Sequence, residues 1–458
     1  MTEDAYDLVV IGMGAAGQSA AIAYAEAAPG ARIAVLERAP KEERGGATRY
    51  TSSWFRITED RQLDPEFLGM MERVSGGQAD LDYCRTLVDG VNASLRFLDD
   101  HGVEVIYFEQ PLPNRNTGGG LGMPAGGGIA IVEGLAAVLE RTGGVEILYE
   151  TAAERLRVTD GCVDGVVAGG RTLGARAVLI ASGGFEGSPE LRAEHIGEAA
   201  RDMPLIAPGV GYNRGEGLRM AVEAGADTAG QFDYFHGEPA DPRSSKPDAV
   251  VYPYPYGIIV NGRAERFFDE GQNSFDSTFE QLGYEIWRNQ GQTAFFIGDQ
   301  TSRSVNAFDD VNLSDQDPVT AETLAGLAGQ LGLDPAALER TVADYNAAIA
   351  PGEFDPYSFD GKRTEGIEPP KSNWAFPLDS PPFIAWPLTC AITFTFGGIR
   401  TDTSARVVTA AGTPIPGLYA AGEVTGLYYN EYPAGTSVLR ALTFGRIAGR
   451  HAAAAREG

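Results

Sequence analysis

A run of apolar residues of strand length, Leu8-Val9-Val10-Ile11, opens directly onto Gly12-Met13-Gly14-Ala15-Ala16-Gly17. An alanine-rich helical pattern follows from about Ala16 to Ala28. A second strand pattern, Ile33-Ala34-Val35-Leu36, then ends on Glu37. Glycine is common in this chain, 59 of 458 residues, so a G-x-G-x-x-G loop alone carries little weight. Its context carries more: a strand before, a helix after, and an acidic residue about twenty positions on. Gly12 permits the tight turn, Gly14 lets the backbone approach a pyrophosphate, and Gly17 lets helix and strand pack closely. The N–H groups at the helix start, around Ala15 and Ala16, face the phosphate charge. Glu37, with Arg38 beside it, is placed to accept from adenosine ribose hydroxyls, and a carboxylate there disfavours a 2′-phosphate. The pattern predicts a bound dinucleotide.

A chain of this length with 43% hydrophobic residues can bury a large core and is expected to form two domains. Its net charge of −27 repels phosphate backbones and anionic lipid heads, which argues against nucleic acid and membrane-surface partners. Cys84, Cys162 and Cys390 are far apart, without a C-x-x-C. That spacing speaks against a disulfide framework, a metal site or an iron–sulfur cluster within the chain. The acidic N-terminus lacks the basic start of a signal peptide, and no apolar run reaches membrane-spanning length, so a cytoplasmic location is expected.

Further along, Gly45-Gly46-Ala47-Thr48 reads as a loop against the cofactor. An amphipathic helix is expected from about Asp80 to His101, and another near Ala130–Arg141, with a glycine-rich stretch at Thr117–Gly120 between them. Strand patterns at Val145–Tyr149, Glu154–Thr159, Val163–Ala168 and Val178–Ala181 follow, the last running into Ser182-Gly183-Gly184-Phe185. Such glycines sit beside a dinucleotide at the carboxyl edge of a parallel sheet. From about Gln231 the texture turns to α+β, with helices expected at Phe275–Asn289, Val319–Leu331 and Pro335–Ala348. The original texture returns with Gly397-Gly398 and Ala420-Ala421-Gly422-Glu423, where Glu423 is available to ribityl hydroxyls. A last helix begins at Ser437-Val438-Leu439, its N-terminus free to face the pyrimidine end of a flavin. The expected architecture is α/β: a Rossmann-like domain, a parallel sheet with helices, in two parts (1–230 and 376–458). It is interrupted by an α+β substrate-capping domain (231–375) that acts as a lid.

Along essentially its whole length the chain resembles the flavoproteins of the fumarate reductase and succinate dehydrogenase superfamily. The residues that carry the resemblance are Gly12–Gly17 with Glu37, Gly45-Gly46, Ser182-Gly183-Gly184-Phe185 and Gly422-Glu423-Val424-Thr425-Gly426. It implies FAD. Of the histidines, His101, His195, His236 and His451, none is near the loop where a covalent link would form, so noncovalent FAD is expected. Pro369–Ala375, Pro381-Pro382-Phe383, Thr393–Gly398 and Tyr428–Pro433 look most like the tricarballylate dehydrogenase flavoproteins. There are departures from the fumarate reductase pattern. Phe394 stands where those enzymes carry a substrate histidine, and Pro433 where they carry a substrate arginine. Arg266-Phe267-Phe268-Asp269-Glu270 is not followed by their proton-donating arginine. Tyr432-Pro433-Ala434-Gly435 is similar to the Tyr-Pro segment of 3-ketosteroid dehydrogenases, where the hydroxyl polarises a ketone.

Desaturating a CH–CH unit needs a base, donors for the developing enolate and a hydride acceptor. Tyr432, Tyr256, Tyr254 and His236 are base candidates; Arg49, Arg56, Arg214, Arg266 and Arg440 are anion-binding candidates. The leading expectation is a dehydrogenase of a tricarballylate-like polycarboxylate. A desaturase or ene-reductase of a ketone, steroid or secondary metabolite is the alternative, and a relay electron-transfer flavoprotein the third. Electrons would leave to a separate iron–sulfur or quinone protein, or to oxygen.

Overall fold

The computed structural model describes residues 4–109, 112, 120–306 and 308–455, so the glycines at 118 and 119 lie outside the described residues. The described chain divides into two compact units. One holds 4–108, 120–236 and 393–455, and the other holds 237–392 with Glu109 and Leu112.

In the first unit the strand Asp4–Ile11 lies between Ile33–Leu36 and Arg171–Ile180, parallel to both, with Val9 opposite Ala34 and Val178. Val145–Leu148 extends the parallel array on one side and Pro414–Ala420 on the other. Arg406–Val408 closes one edge antiparallel, while Cys162–Ala168 and Ala153–Thr159 form an antiparallel extension. Together these make an eight-stranded sheet among the described residues. The inner strands read as unbroken apolar runs because both sheet faces are covered; Ile33–Leu36 is buried at every position. Register brings Ile11, Leu36, Ile180 and Ala420 to one edge. The loops that begin at Gly12, Glu37, Ser182 and Gly422 therefore start together.

Two helices are fixed by backbone approach. A Cβ on Gly17, in helix Ala15–Ala27, would strike Gly12 O, so only glycine lets that helix leave the strand so tightly. In the last helix, Ser437–Ala454, a Cβ on Gly445 would meet Ala16 O and one on Gly449 would meet Ala20 O. These two glycines, one turn apart, seat the last helix on the first. Helix Leu81–Asp100 follows its apolar stripe: Cys84, Leu87, Val91, Leu95 and Leu98 are buried, and Asp80 caps it by accepting from Asp82 N and Tyr83 N.

The second unit is α+β. The strands Phe235–Ala240 and Phe383–Thr395 carry the chain between units and belong to a five-stranded sheet with Ala294–Gly298, Ile258–Asn261 and Val319–Ala321. The insert runs from Gly237 to Ile392, not from about 231 to 375. The reason is pairing: Ile384–Leu388 lies antiparallel to Ala294–Gly298, deep in its sheet. One expected helix is also corrected. Val319–Ala321 is an edge strand on Phe383–Ala385, and the helix starts only at Leu324, capped by Thr323 Oγ1 accepting from Gly326 N at 3.0 Å. Among the described residues no helix is long and apolar enough to cross a membrane.

Candidate FAD and substrate site

At the sheet edge the first helix begins without a side-chain cap, because its N-cap is Gly14. Ala15 N donates to Thr48 Oγ1 at 3.2 Å, and the intrahelical ladder begins only with Gln18 N to Gly14 O. The N–H groups of Ala16 and Gly17 precede that ladder, at the positive end of the helix dipole. A Cβ on Gly12 would strike Ala181 O, whereas one on Gly14 would meet nothing closer than Gly45 O at 3.5 Å. Gly12 is glycine for the protein's own backbone, while Gly14 leaves room that the protein does not fill. Glu37 is buried where its strand ends. Its carboxylate accepts from Ala39 N (2.9 Å), Met13 N (3.2 Å) and Gly45 N (3.5 Å). Burial raises its pKa, and these donors oppose the rise. Arg38 turns away: its guanidinium donates to Tyr212 O and pairs with Glu216, each at 3.0 Å. Gly45, with φ of 105°, precedes the short helix Gly46–Tyr50 that carries Ala47 and Thr48.

The last helix offers a second open N-terminus. Thr436 N and Ser437 N both donate to Tyr432 Oη at 2.9 Å, and the ladder starts at Arg440 N to Thr436 O. The N–H groups of Val438 and Leu439 come before it. Two helix N-termini, seated on one another by Gly445 and Gly449, thus face the same sheet edge. That arrangement fits a dinucleotide with a pyrophosphate at one helix and an electron-rich ring at the other.

Beside Gly422 lies a carboxyl pair, buried Glu186 and partly buried Glu423, of which the sequence pointed only to Glu423. Glu423 Oε1 accepts from Thr395 N at 3.2 Å, and Asn213 Nδ2 reaches Glu186 Oε1 at 2.6 Å and Glu423 Oε2 at 3.4 Å. A Cβ on Gly184 would meet Glu423 Oε1 and Thr395 Oγ1, and Glu186 Oε2 at 2.8 Å; a Cβ on Gly183 would strike the Asn213 amide. The double glycine after Ser182 is the space these side chains occupy. Burial and then the neighbouring Glu423 charge push the Glu186 pKa well up; burial raises that of Glu423 as well. Arg440, an anion-binding candidate from sequence, is 1% exposed. Its Nη1 donates to Thr425 O at 3.2 Å, and its guanidinium lies 4.8 Å over the Tyr428 ring.

Tyr432 belongs to an aromatic triad. Its ring lies 4.7 Å from His236 and 4.9 Å from Phe394, and His236 lies 4.8 Å from Phe394. Its hydroxyl, receiving the two helix N–H bonds, donates to Ser437 Oγ at 3.1 Å. Tyr256 and Arg266 lie in the second unit. Tyr256 Oη donates to Pro356 O at 3.0 Å, and burial raises its pKa far beyond a working base. Arg266 pairs with buried Glu270 at 2.7 Å, donates to Pro369 O at 2.8 Å and lies over the Tyr345 ring. Tyr254 Oη bonds Phe275 O and Thr278. Each is committed to the interior of the insert, so none carries forward as a catalytic residue.

Comparison with known proteins decides the family. The family described as FAD binding domain matches residues 7–438. The chain belongs to the FAD-dependent flavoproteins of the fumarate reductase and succinate dehydrogenase superfamily. Vinyl phenol reductase of Lactiplantibacillus plantarum is 26% identical, covering 98% of this chain and 97% of that protein. Fumarate reductase (cytochrome) of Shewanella frigidimarina is 27% identical over 98% of this chain and 77% of its own length. Among solved structures, 3-ketosteroid Δ4-(5α)-dehydrogenase of Rhodococcus jostii with 4-androstene-3,17-dione is 27% identical. Its TM-score is 0.73, over 99% of this chain and 98% of that one. This flavoprotein is an FAD-dependent oxidoreductase with relatives that act on carbon–carbon unsaturation.

Proposed function

We propose that this flavoprotein interconverts a saturated CH–CH unit and its alkene beside a carbonyl, with a weakly charged ketone as substrate. The observation that carries this is the Tyr432 hydroxyl, which accepts from Thr436 N and Ser437 N and gives its own proton to Ser437 Oγ. Exchanging that last bond for a substrate carbonyl oxygen costs one hydrogen bond and gains another. When the proton beside the carbonyl leaves, negative charge gathers on that oxygen. The phenol then donates into it, backed by two N–H groups at a helix N-terminus, in the manner of an oxyanion hole. His236 and Phe394 pack on the tyrosine ring and fix its direction. Bound FAD supplies the two-electron acceptor or donor. Loop Gly12–Gly17 with Glu37, Gly45–Thr48, Ser182-Gly183, Glu423 and the first turn Ser437–Leu439 would hold it, noncovalently.

A tricarballylate-like polycarboxylate has less support. It needs cations to hold several carboxylates. Yet Arg49 pairs with Glu133, Arg56 with buried Asp64 and Arg266 with Glu270, while Arg214 is exposed. The steroid complex of the similar ketosteroid dehydrogenase supports the ketone reading. The test is anaerobic mixing of the holoprotein with saturated cyclic ketones and with tricarballylate, followed by flavin absorbance. Bleaching by ketones alone is expected; bleaching by tricarballylate alone would reverse the assignment.

A further inference from the structure

The Glu186–Glu423 pair poses a question that the substrate reading does not answer. Two carboxyl groups meet above Gly184 in the first unit, Glu186 fully buried and Glu423 partly so. Glu186 is fully buried, and its Oε2 receives no N–H or O–H from the described residues. The Glu423 carboxyl shares the Asn213 amide with Glu186 and lies with Glu186 Oε2 over Gly184, and a proton held between the two carboxyls is the simplest way to satisfy both. We infer that Glu186 is a positioning residue that shares one proton with Glu423 and thereby presents Glu423 as an acceptor for the ribityl hydroxyls of FAD. The inference rests on the assignment of Glu423 to the cofactor.

The charge of Arg440, in the last helix, acts on Glu423, and that of Glu186 acts on Arg192, in helix Pro189–His195. Arg192 is itself engaged with the carbonyls of Met203 and Arg201. The hydrogen-bond partners of the pair are neutral: Asn213 before helix Glu216–Glu223, and Thr395 at the end of its strand. With the proton in place, Glu186 is a neutral donor that holds the Glu423 carboxylate in one orientation. When the proton leaves, two like charges face each other in a poorly screened space, and Glu423 is driven from that orientation. FAD affinity should then fall by up to about tenfold per pH unit above the ionisation of the pair.

Titration of the apoprotein with FAD from pH 6 to pH 9, read by quenching of flavin fluorescence, tests this without turnover. For the wild type the dissociation constant should be flat below the ionisation of the pair and rise with pH above it, by up to about tenfold per unit. Glu186→Gln supplies an uncharged donor that cannot ionise, and its dissociation constant should change less than about twofold. Glu186→Ala lacks the donor and should bind weakly throughout, with thermal melts confirming that each variant is folded. An E186Q protein that follows the wild-type pH dependence overturns the inference. Glu423→Gln separates the two claims. Unchanged FAD affinity in E423Q removes Glu423 from the cofactor site, whereas weakened affinity leaves that assignment standing even if the shared proton is refuted.

Discussion

At the scale of residues, the carboxyl pair has a consequence for stability apart from any ligand. The Glu186 pKa in the folded chain is raised above the ordinary 4.5, first by burial and then by Glu423. The folded state therefore binds more protons than the unfolded state in the window above pH 4.5. Stability is fully present below that value and is lost as pH rises through the folded pKa. Glu186→Gln removes the titration, so the E186Q apoprotein should melt a few degrees above the wild type at pH 8 and level with it near pH 4.5. Melts with equal gaps at both pH values would show that the pair does not hold an extra proton. Tyr432→Phe tests the other group at this scale. Losing one donor to a developing oxyanion typically lowers turnover by about 10²–10³-fold. FAD affinity should stay near wild type if the phenol serves the substrate, as proposed. A Y432F enzyme with full turnover would remove Tyr432 from the reaction.

At the scale of elements, the first turn separates glycines kept for the fold from those kept for the ligand. Gly17→Ala forces a Cβ onto Gly12 O and should unfold the unit or leave it insoluble. Gly14→Ala has 3.5 Å to Gly45 O, so the apoprotein should melt near the wild type while FAD affinity falls by about 100-fold or more. Equal destabilisation by both changes would mean that Gly14 serves the backbone too. This turn was legible in the sequence because its chemistry is local: strand, glycines, helix and Glu37 lie within one β-α-β unit. Helix Leu81–Asp100 was legible for a similar reason, since its apolar spacing needs no partner to be recognised. What escaped depends on distant residues. The roles of Gly445 and Gly449 appear only when Ala16 O and Ala20 O are beside them, and the carboxyl pair joins Glu186 to Glu423 across the sheet edge. The residue Glu186 follows a double glycine, and that was the available signal: two glycines at a strand end leave space that something must fill. The insert's far boundary was misplaced because a proline-rich stretch reads as a linker, although Phe383–Thr395 still had sheet pairing to make.

At the scale of the whole molecule, the remaining question is where electrons go. The three cysteines, Cys84, Cys162 and Cys390, are free, and two are buried. Among the described residues no group of histidine, cysteine and carboxylate side chains could hold a metal ion. For the electrons of reduced FAD we propose a separate redox protein as acceptor, in preference to oxygen. The net charge of −27 selects among acceptors, because a field of that sign draws cations and repels anions. That attraction should fade with salt, since the screening length is only ~8 Å at physiological ionic strength. Stopped-flow reoxidation of substrate-reduced protein is the measurement. A cationic dye should reoxidise the flavin about tenfold faster at low salt than at high salt, with an anionic dye showing the opposite trend and air reacting slowly. If air instead restores the oxidised spectrum as fast as turnover, with one peroxide formed per substrate, the protein is an oxidase and no protein acceptor is needed.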